Sequence, residues 1–208
     1  MRVSFLIDGF NVYHSLADVE RRFKTKVKWL NLRALCESYL SAIGKEAAGK
    51  DFYYFSAHAS HMVARDPNIV NRHQSYIRAL KSVGVQVQLG KFKEKRVKCH
   101  HCAQDFKKYE EKETDVSIAV KIFELFHKNE CDHIVLLTGD TDLLPAIRTA
   151  KDIYGKKVSV LFPYGRYNAA FDGFVDQQFK IKDNTYAKFQ FPETLQFEGK
   201  TIHKPASW

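Results

Sequence analysis

Four aspartates of this 208-residue chain lie close to the ends of short apolar segments. Asp8 directly follows the run VSFLI, and Asp140 and Asp142 follow the run IVLLT. Asp115 precedes a segment with helical period that comes after another such run. Clustered carboxylates repel one another unless a cation neutralises them, and oxygen ligands alone select Mg²⁺ or Mn²⁺. The pattern therefore predicts a divalent-metal site suited to the hydrolysis of phosphodiester bonds.

The segments that carry these aspartates change between strand-like and helical period. The candidate strands are residues 3–7, 52–57, 85–89, 134–138 and 158–162, and the candidate helices are residues 32–43, 69–83, 116–126 and 143–154. The helix 116–126 has two apolar stripes, so we expect it to be largely buried. This alternation predicts an α/β fold of three layers, with a mainly parallel sheet of about five strands between helices. Ligands of such sheets bind beyond the carboxyl ends of the strands, so the four aspartates are expected on one edge.

Helix capping is the alternative role for any one of these aspartates. An Asp after a strand often forms a turn or caps a helix, and Asp115 and Asp142 both suit helix starts. Capping explains a single aspartate better than it explains four on one rim with Asn11, three residues after Asp8. The metal site is therefore the interpretation that we carry forward.

Two stretches lack the alternating pattern. Residues 91–114 are polar and strongly charged, which predicts an insertion or long loop after the third strand. Residues 183–208 contain aromatic side chains without helical period, which predicts an extended tail packed on the domain formed by residues 1–182.

Basic side chains are the candidates for contacts with a nucleic-acid backbone. The chain has 33 Lys and Arg against 24 Asp and Glu, a net charge of +9 that attracts polyanions. The predicted contacts are Lys93, Lys95, Arg96, Lys98 and Lys112 of the charged stretch, and Arg72 of the helix 69–83. Such contacts position a backbone without reading its sequence. The alternative is ordinary solvated surface, as for most charge runs.

Cys99 and Cys102 have the spacing of a zinc knuckle, which makes a structural Zn²⁺ a second metal to consider. A structural zinc site needs four ligands, and there is no second pair of cysteines with this spacing. His58 and His61, or His100 or His101, are the candidates for the missing ligands. A reduced thiol pair in a polar loop is the alternative.

The remaining features of the sequence bear on the cellular location of the protein. There is no run of eighteen apolar residues and no secretory signal at the N-terminus, so we expect no membrane association. Cys36 and Cys131 stand alone, and the four cysteines do not form the framework of a small secreted domain. We therefore expect a reducing, cytoplasmic location, and a homo-oligomer is left open.

Three blocks in this order, FLIDGFNVY, EEKETDVSIAV and LLTGDTDLLPAIR, resemble the NYN domains of the PIN-like nuclease superfamily, particularly their LabA-like branch. The resemblance covers residues 1–182 and implies a PIN-like Rossmannoid fold that cleaves RNA with Mg²⁺ or Mn²⁺. It places Asp8, Asp115, Asp140 and Asp142 on the metal, with Asn11 as a polar neighbour. Many bacterial NYN domains carry a Cys-containing insertion where this chain has residues 91–114.

Asp172, in the block FDGF, falls where the family often has an acid before its last strand. The family usually has a small residue just before that acid, and this chain has Phe171 there. Asp172 is therefore a secondary candidate for the site.

The predicted function is a metal-dependent endoribonuclease, with DNA left open as a substrate. A non-catalytic RNA-binding or regulatory module of the same fold is the main alternative. A metal-dependent phosphatase is a third hypothesis. The phosphatase chemistry normally uses D-x-D directly after the first strand, and here that position reads Asp8-Gly9-Phe10.

Overall fold

A computed structural model of the protein describes residues 1–99, 101–102 and 104–208. In this part of the chain the helices are α1 (Gly9–Phe23), α2 (Leu32–Glu37), α3 (Leu40–Ile43), α4 (Ile69–Ser82), α5 (Thr114–His127) and α6 (Leu144–Tyr154). The strands are β1 (Arg2–Asp8), β2 (Ala48–Ala57), β3 (Val85–Lys98), β4 (Asp105–Lys112), β5 (His133–Leu137), β6 (Lys157–Phe162), β7 (Gln178–Lys180), β8 (Thr194–Phe197) and β9 (Lys200–His203). Short 3₁₀ helices lie at Ser60–Met62, Thr141–Leu143, Ala169–Phe171 and Asp183–Phe189.

The central sheet has seven strands in the order β4-β3-β2-β1-β5-β6-β7. All neighbouring strands are parallel except β3 and β4, which are antiparallel. The predicted three-layer α/β fold with a mainly parallel sheet is confirmed. The prediction of about five strands was too low, because β4 is mostly charged and β7 has only three residues, so neither has the apolar run of a buried strand.

Two apolar clusters, one on each face of the sheet, hold the layers together. Successive side chains of a strand point to opposite faces. Phe5 and Ile7 of β1 accordingly belong to the cluster covered by α1, α2 and α4, and Leu6 belongs to the cluster covered by α5 and α6. Burying a large apolar side chain contributes roughly 1.5–3 kcal/mol, so both faces anchor β1, the strand that ends in Asp8.

Three helix predictions need correction. Helix α1 was not predicted, because its start coincides with the DGFN motif and its polar face hides the stripe of buried side chains. The predicted helix 32–43 is two short helices, α2 and α3, separated by a turn at Ser38 and Tyr39. The prediction that α5 is largely buried was wrong, since Val116 is 68% and Val120 is 59% exposed. Only the stripe that contains Ile118 packs on the sheet.

The charged stretch 91–114 is not a loop. Strand β3 continues to Lys98 and pairs with β4 in an antiparallel register from Lys91 opposite Lys112 to Lys98 opposite Asp105. Pairing satisfies the backbone groups that face the partner strand, and this holds the segment extended without an apolar core. We call residues 91–112 the basic ribbon.

The C-terminal residues 183–208 are not simply extended. They begin with the 3₁₀ helix Asp183–Phe189 and end after the hairpin β8–β9. Tyr186 and Ile202 are buried in the same cluster as α1 and α4, and the Tyr186 hydroxyl lies 2.8 Å from Ser15 Oγ. The segment therefore completes the core that the preceding residues begin.

None of the helices in the described ranges combines the length and the apolar character that crossing a lipid bilayer would need.

Candidate metal centre

The candidate centre lies at the carboxyl edge of the sheet, where the parallel strands β1 and β5 end side by side. Asp8 is the last residue of β1 and also the N-cap of α1. Its Oδ1 accepts a hydrogen bond from the backbone N–H of Asn11 (3.0 Å), and its Oδ2 accepts one from the Thr138 hydroxyl (2.9 Å). A carboxylate has about four lone-pair sites, so Asp8 can cap the helix and still bind an ion.

The loop after β5 is held by its own chain of hydrogen bonds. Thr138 Oγ1 accepts from the Asp140 N–H, and Asp140 Oδ1 accepts from the Asp142 N–H, both at 3.0 Å. Asn11 Oδ1 accepts from the Gly139 N–H, also at 3.0 Å, and so ties α1 to this loop. Asn11, which was predicted in the site, thus positions Asp140 relative to Asp8.

Three of the four predicted aspartates meet. Asp8, Asp115 and Asp140 each offer a carboxylate oxygen, and these atoms all lie within 4.8 Å of one another. Asp115 reaches the group from the first turn of α5, where the helix dipole favours a negative charge. Asp142 is exposed and outside this group, although its charge still contributes to the raised pKa of Asp115.

Helix capping was expected for Asp115 and Asp142, but the structure shows it for Asp8 and Asp140. The N-cap of α5 is Glu113, which makes no side-chain cap bond, so Asp115 is free of that role. The carboxylate of Asp115 therefore has no structural duty that explains its place beside two other acids.

Two residues of the site were missed by the sequence analysis. A cavity of about 240 Å³, the acidic cavity, is lined by the three aspartates together with Glu111 and Arg166. Glu111 lies on β4 and accepts a hydrogen bond from the Thr114 hydroxyl. Arg166 donates to Asp18 (2.5 Å), and its buried Nε has no partner among the described residues. Glu111 lies within the block EEKETDVSIAV, where only Asp115 was assigned to the metal, and Arg166 comes from a segment without a recognisable motif.

The acids of this cavity are not neutralised by the protein. Asp8, Asp115, Asp140 and Glu111 form no salt bridge with any described residue. Burial raises the pKa of Asp8. Burial and the charges of Asp140 and Asp8 raise the pKa of Asp115 to about 6. Burial, with smaller effects of Asp8 and Asp115, raises the pKa of Glu111 to about 7. Concentrated negative charge of this kind fits a cation.

The raised pKa values predict how the metal-free protein responds to pH. Their ordinary values are 3.8 for Asp115 and 4.5 for Glu111, so both carboxyls favour folding below about pH 4 and lose that contribution as the pH rises through 6 and 7. Replacing Glu111 by Gln removes one such group. In EDTA, the melting temperature of Glu111→Gln relative to the wild type should therefore rise between about pH 5 and about pH 8. A constant difference would contradict this electrostatic description.

The predicted nucleic-acid contacts fall into two groups. Arg72 pairs with Asp66, and Lys95 and Lys112 pair with Glu110. Lys93, Arg96 and Lys98 have no salt bridge among the residues that the structure describes, so they are the freest cations of the predicted set. Lys112 follows Glu111 in the same strand, which directs its side chain to the other face of the ribbon.

The cysteines and Asp172 lie away from the acidic cavity. Cys99 and Cys102 are free thiols beyond the end of β3. No group of three metal-ligating side chains around them is found in the described residues, and His100 lies outside those residues. His58 contacts His73, and His61 stacks on Tyr109, so neither histidine completes the predicted zinc site. Asp172 is exposed and accepts from Gln178.

A larger cavity of about 490 Å³ adjoins the acidic one, and Phe10, His14 and Glu111 line both. We call it the aromatic cavity, because rings of α1, β2, α4 and the basic ribbon form much of its wall. Its ring-bearing lining residues include Phe10, Tyr13, Tyr54, His61, Tyr76 and Phe92. Its volume falls in the range of about 300–1,000 Å³ that is usual for small-molecule sites.

Comparisons with known proteins agree with this architecture. The family model of the NYN domain matches residues 2–180. Over 241 aligned positions the chain is 25% identical to 6-hydroxy-3-succinoylpyridine 3-monooxygenase HspA of Pseudomonas putida (strain DSM 28022 / S16), covering 100% of this chain and 75% of that protein. A crystal structure of a protein of unknown function from Vibrio parahaemolyticus RIMD 2210633 superposes with a TM-score of 0.57 at 17% identity, covering 91% of this chain and 96% of the other. This last likeness concerns the fold.

Proposed function

Because the chain belongs to the NYN domain family, whose fold is nuclease-like, we propose that it is a metal-dependent endoribonuclease with its ion held by Asp8, Asp115 and Asp140. The observation that carries the proposal is the meeting of three carboxylates within 4.8 Å at the end of β1 and β5. Two of these acids follow strands and the third begins a helix, so rigid elements fix all three.

The donor set fits a hard divalent cation. All three ligands are carboxylate oxygens, which suit Mg²⁺ or Mn²⁺ better than softer metals. Such an ion, when bound, polarises a phosphoryl oxygen and lowers the pKa of a water nucleophile. The protein itself keeps Asp8 in place through Asn11 and Thr138, so the ligands need little rearrangement on binding.

Other residues of the acidic cavity are assigned roles around the substrate. Arg166 is the cation in the cavity wall, and we assign its guanidinium, whose Nε has no partner among the described residues, to a phosphate oxygen. Glu111 adds a further carboxylate on the side of the basic ribbon, where it can accept a hydrogen bond from water. Asp142 is assigned to the outer rim, because it is exposed and outside the group of three.

The proposal is tested by incubating the protein with single-stranded RNA and with DNA of the same sequence. Cleavage of RNA that requires Mg²⁺ or Mn²⁺ and stops in EDTA is the expected result. Products with new internal ends would identify an endonuclease. Salt-sensitive RNA binding without cleavage, in the presence of a bound ion, would favour the non-catalytic binding module instead.

The basic ribbon gives a separate prediction about affinity. Replacing Lys93, Arg96 and Lys98 together by Ala should weaken RNA binding and lower the slope of log K against log salt by up to about 2, since each phosphate contact to a single strand contributes about 0.7. Fluorescence anisotropy at several salt concentrations measures this slope. The matched control replaces the exposed Lys182, Lys188 and Lys200, which form no salt bridge with described residues. Equal slopes for the two triple variants would remove the ribbon from the RNA path.

A second candidate function is oxygenation of a small nitrogen heterocycle. The similarity to the Pseudomonas monooxygenase extends over 100% of this chain, and the aromatic cavity has room for a heterocyclic ring. Oxygen uptake in the presence of 6-hydroxy-3-succinoylpyridine and an added two-electron reductant would support this candidate. No uptake under conditions that allow RNA cleavage would reject it.

A further inference from the structure

The aromatic cavity has flat, apolar walls at several orientations. Phe92 of β3 packs edge-on against Phe10 of α1, with ring centroids 5.5 Å apart. His61 lies 4.4 Å from Phe92 and stacks on Tyr109 at 4.5 Å. Rings arranged in this way offer both faces and edges to a planar guest, and stacking on them tolerates any aromatic ring.

Two imidazole nitrogens in the wall of this cavity lack partners. His61 Nδ1 and His73 Nε2 are buried and have no hydrogen-bond partner among the described residues. The other ring nitrogen of His73, Nδ1, lies 3.2 Å from Nδ1 of His58. Buried polar atoms in folded proteins nearly always have a partner, so a cavity with two unpaired ring nitrogens suits a ligand that carries its own donors and acceptors.

The surroundings of His58, His61 and His73 lower their pKa values and so favour the neutral imidazole. Burial, with a smaller contribution from His58, lowers the pKa of His73 to about 4, and burial also lowers the pKa of His58 and His61. A neutral imidazole has one donor and one acceptor nitrogen. The nearest cations of the cavity wall are already paired, Arg72 with Asp66 and Lys28 with Glu20. The cavity therefore suits an uncharged polar ring better than an anion.

The two cavities are neighbours that share part of their walls. Phe10, His14 and Glu111 line both, so a ligand in the aromatic cavity can extend past them to the three aspartates. An uncharged heteroaromatic ring joined through a short linker to a phosphate matches this sequence of environments. A nucleotide has that composition.

We infer that the aromatic cavity binds the base of a nucleoside phosphate whose phosphate lies at the acidic cavity. This inference rests on the proposed function and deepens it. A base held there is removed from any stack with its neighbours, so the site would select an unpaired nucleotide. The same chemistry is present in a nucleotide within a single strand and in a free mononucleotide.

The first test compares ligands that differ only in the base. Calorimetric titration with Mn²⁺ present would compare adenosine 5′-monophosphate with ribose 5-phosphate. Stacking of one base predicts roughly 5- to 150-fold tighter binding of the nucleotide. Equal affinities would overturn the inference. Binding of free adenine as tight as that of the nucleotide would also overturn it, since the phosphate would then contribute nothing.

The second test fills the cavity. Ala59 lines the aromatic cavity but not the acidic one, so Ala59→Trp should abolish the advantage of the nucleotide and leave the affinity for ribose 5-phosphate unchanged. Ala187→Trp, at an exposed position that lines neither cavity, is the matched control. If Ala59→Trp does not fold, His61→Ala removes part of the wall and should reduce the same advantage. If Ala59→Trp and His61→Ala each weakened the binding of the nucleotide and of ribose 5-phosphate to the same extent, the result would contradict a base site.

The source of the nucleotide is decided by a third ligand, a short single strand with hydrolysis-resistant phosphorothioate linkages. Tighter binding of the strand than of the mononucleotide would assign the site to a nucleic acid, and the reverse would assign it to a free nucleotide. These titrations need no turnover. A protein that binds the nucleotide as expected but cuts no RNA would refute the proposed function alone, whereas RNA cleavage with equal affinities in the first test would refute the base site alone.

Discussion

Asp115→Asn should lower RNA cleavage by at least about 100-fold, because a bound divalent ion supplies several kcal/mol of stabilisation to the transition state. The same substitution should raise the melting temperature of the metal-free protein. Asp115 makes no salt bridge or side-chain cap bond in the described structure, and its pKa is raised to about 6 by burial and by neighbouring acids. Its charge at neutral pH therefore opposes folding while it serves the ion.

The matched control for Asp115→Asn is Asp142→Asn. Asp142 lies in the same acidic region but is exposed and outside the group of three. Its cap bond to Asp140 uses the backbone N–H, which the substitution keeps. We expect a loss of activity below about 10-fold, the lower limit for residues that support metal ligands. Initial rates with Mg²⁺ measure the loss of activity, and thermal melts in EDTA measure the change in melting temperature. A metal-free Asp115→Asn protein that melts below the wild type would show that this carboxylate is structural.

Gly139→Ala should damage both the fold and the activity. A Cβ at residue 139 would lie 2.1 Å from the backbone oxygen of Arg166, far inside contact distance. Backbone atoms cannot swing aside as a side chain can, so the loop that carries Asp140 must move. Its hydrogen bond from Gly139 to Asn11 would be strained at the same time. Overpacking of this kind costs typically 1–3 kcal/mol, so we expect a loss of about that size in the free energy of unfolding.

Urea unfolding and the cleavage rate measure the effect of Gly139→Ala. Gly44→Ala is the matched control, because its backbone is extended at φ 172° and a Cβ there would meet only the end of Met1 at 3.4 Å. We expect the control to change the free energy of unfolding by less than about 0.5 kcal/mol. A Gly139→Ala protein with the stability and rate of the wild type would show that Asn11 and Arg166 do not fix this loop as described.

The positions of Asp8 and Asp140 were predictable because they depend on local features. Each follows an apolar strand, and parallel strands bring their carboxyl ends to one edge whatever the exact strand order. Asp115 needed only the start of the next crossover helix. These three residues form the centre of the proposed site. Asp142 shares the local pattern, but the turn of the 3₁₀ helix at Thr141–Leu143 separates it from the others.

Glu111 and Arg166 could not be predicted in the same way. Glu111 lines the cavity because β4 pairs with β3 in a register that puts Glu111 opposite Phe92, and a charged strand in solvent has no apolar alternation that reveals this register. Arg166 reaches the cavity from the segment after β6, through a close approach to Gly139. Both depend on long-range packing. Helix α5 was mispredicted for the same reason. Its sequence has apolar side chains on two sides, and only the packing of the fold leaves Val116 and Val120 exposed.

Mn²⁺ binding at equilibrium tests the central claim most directly. Electron paramagnetic resonance of free Mn²⁺ would be recorded during titration of the wild type and of a variant that combines Asp8→Asn with Asp140→Asn. We expect a saturable site in the wild type and a loss of affinity of at least 10- to 100-fold in the double variant, the range seen even for residues that only support metal ligands. Thermal melts in EDTA verify that the variant is folded. Unchanged Mn²⁺ affinity in the folded double variant would contradict the assignment of the ion to these aspartates.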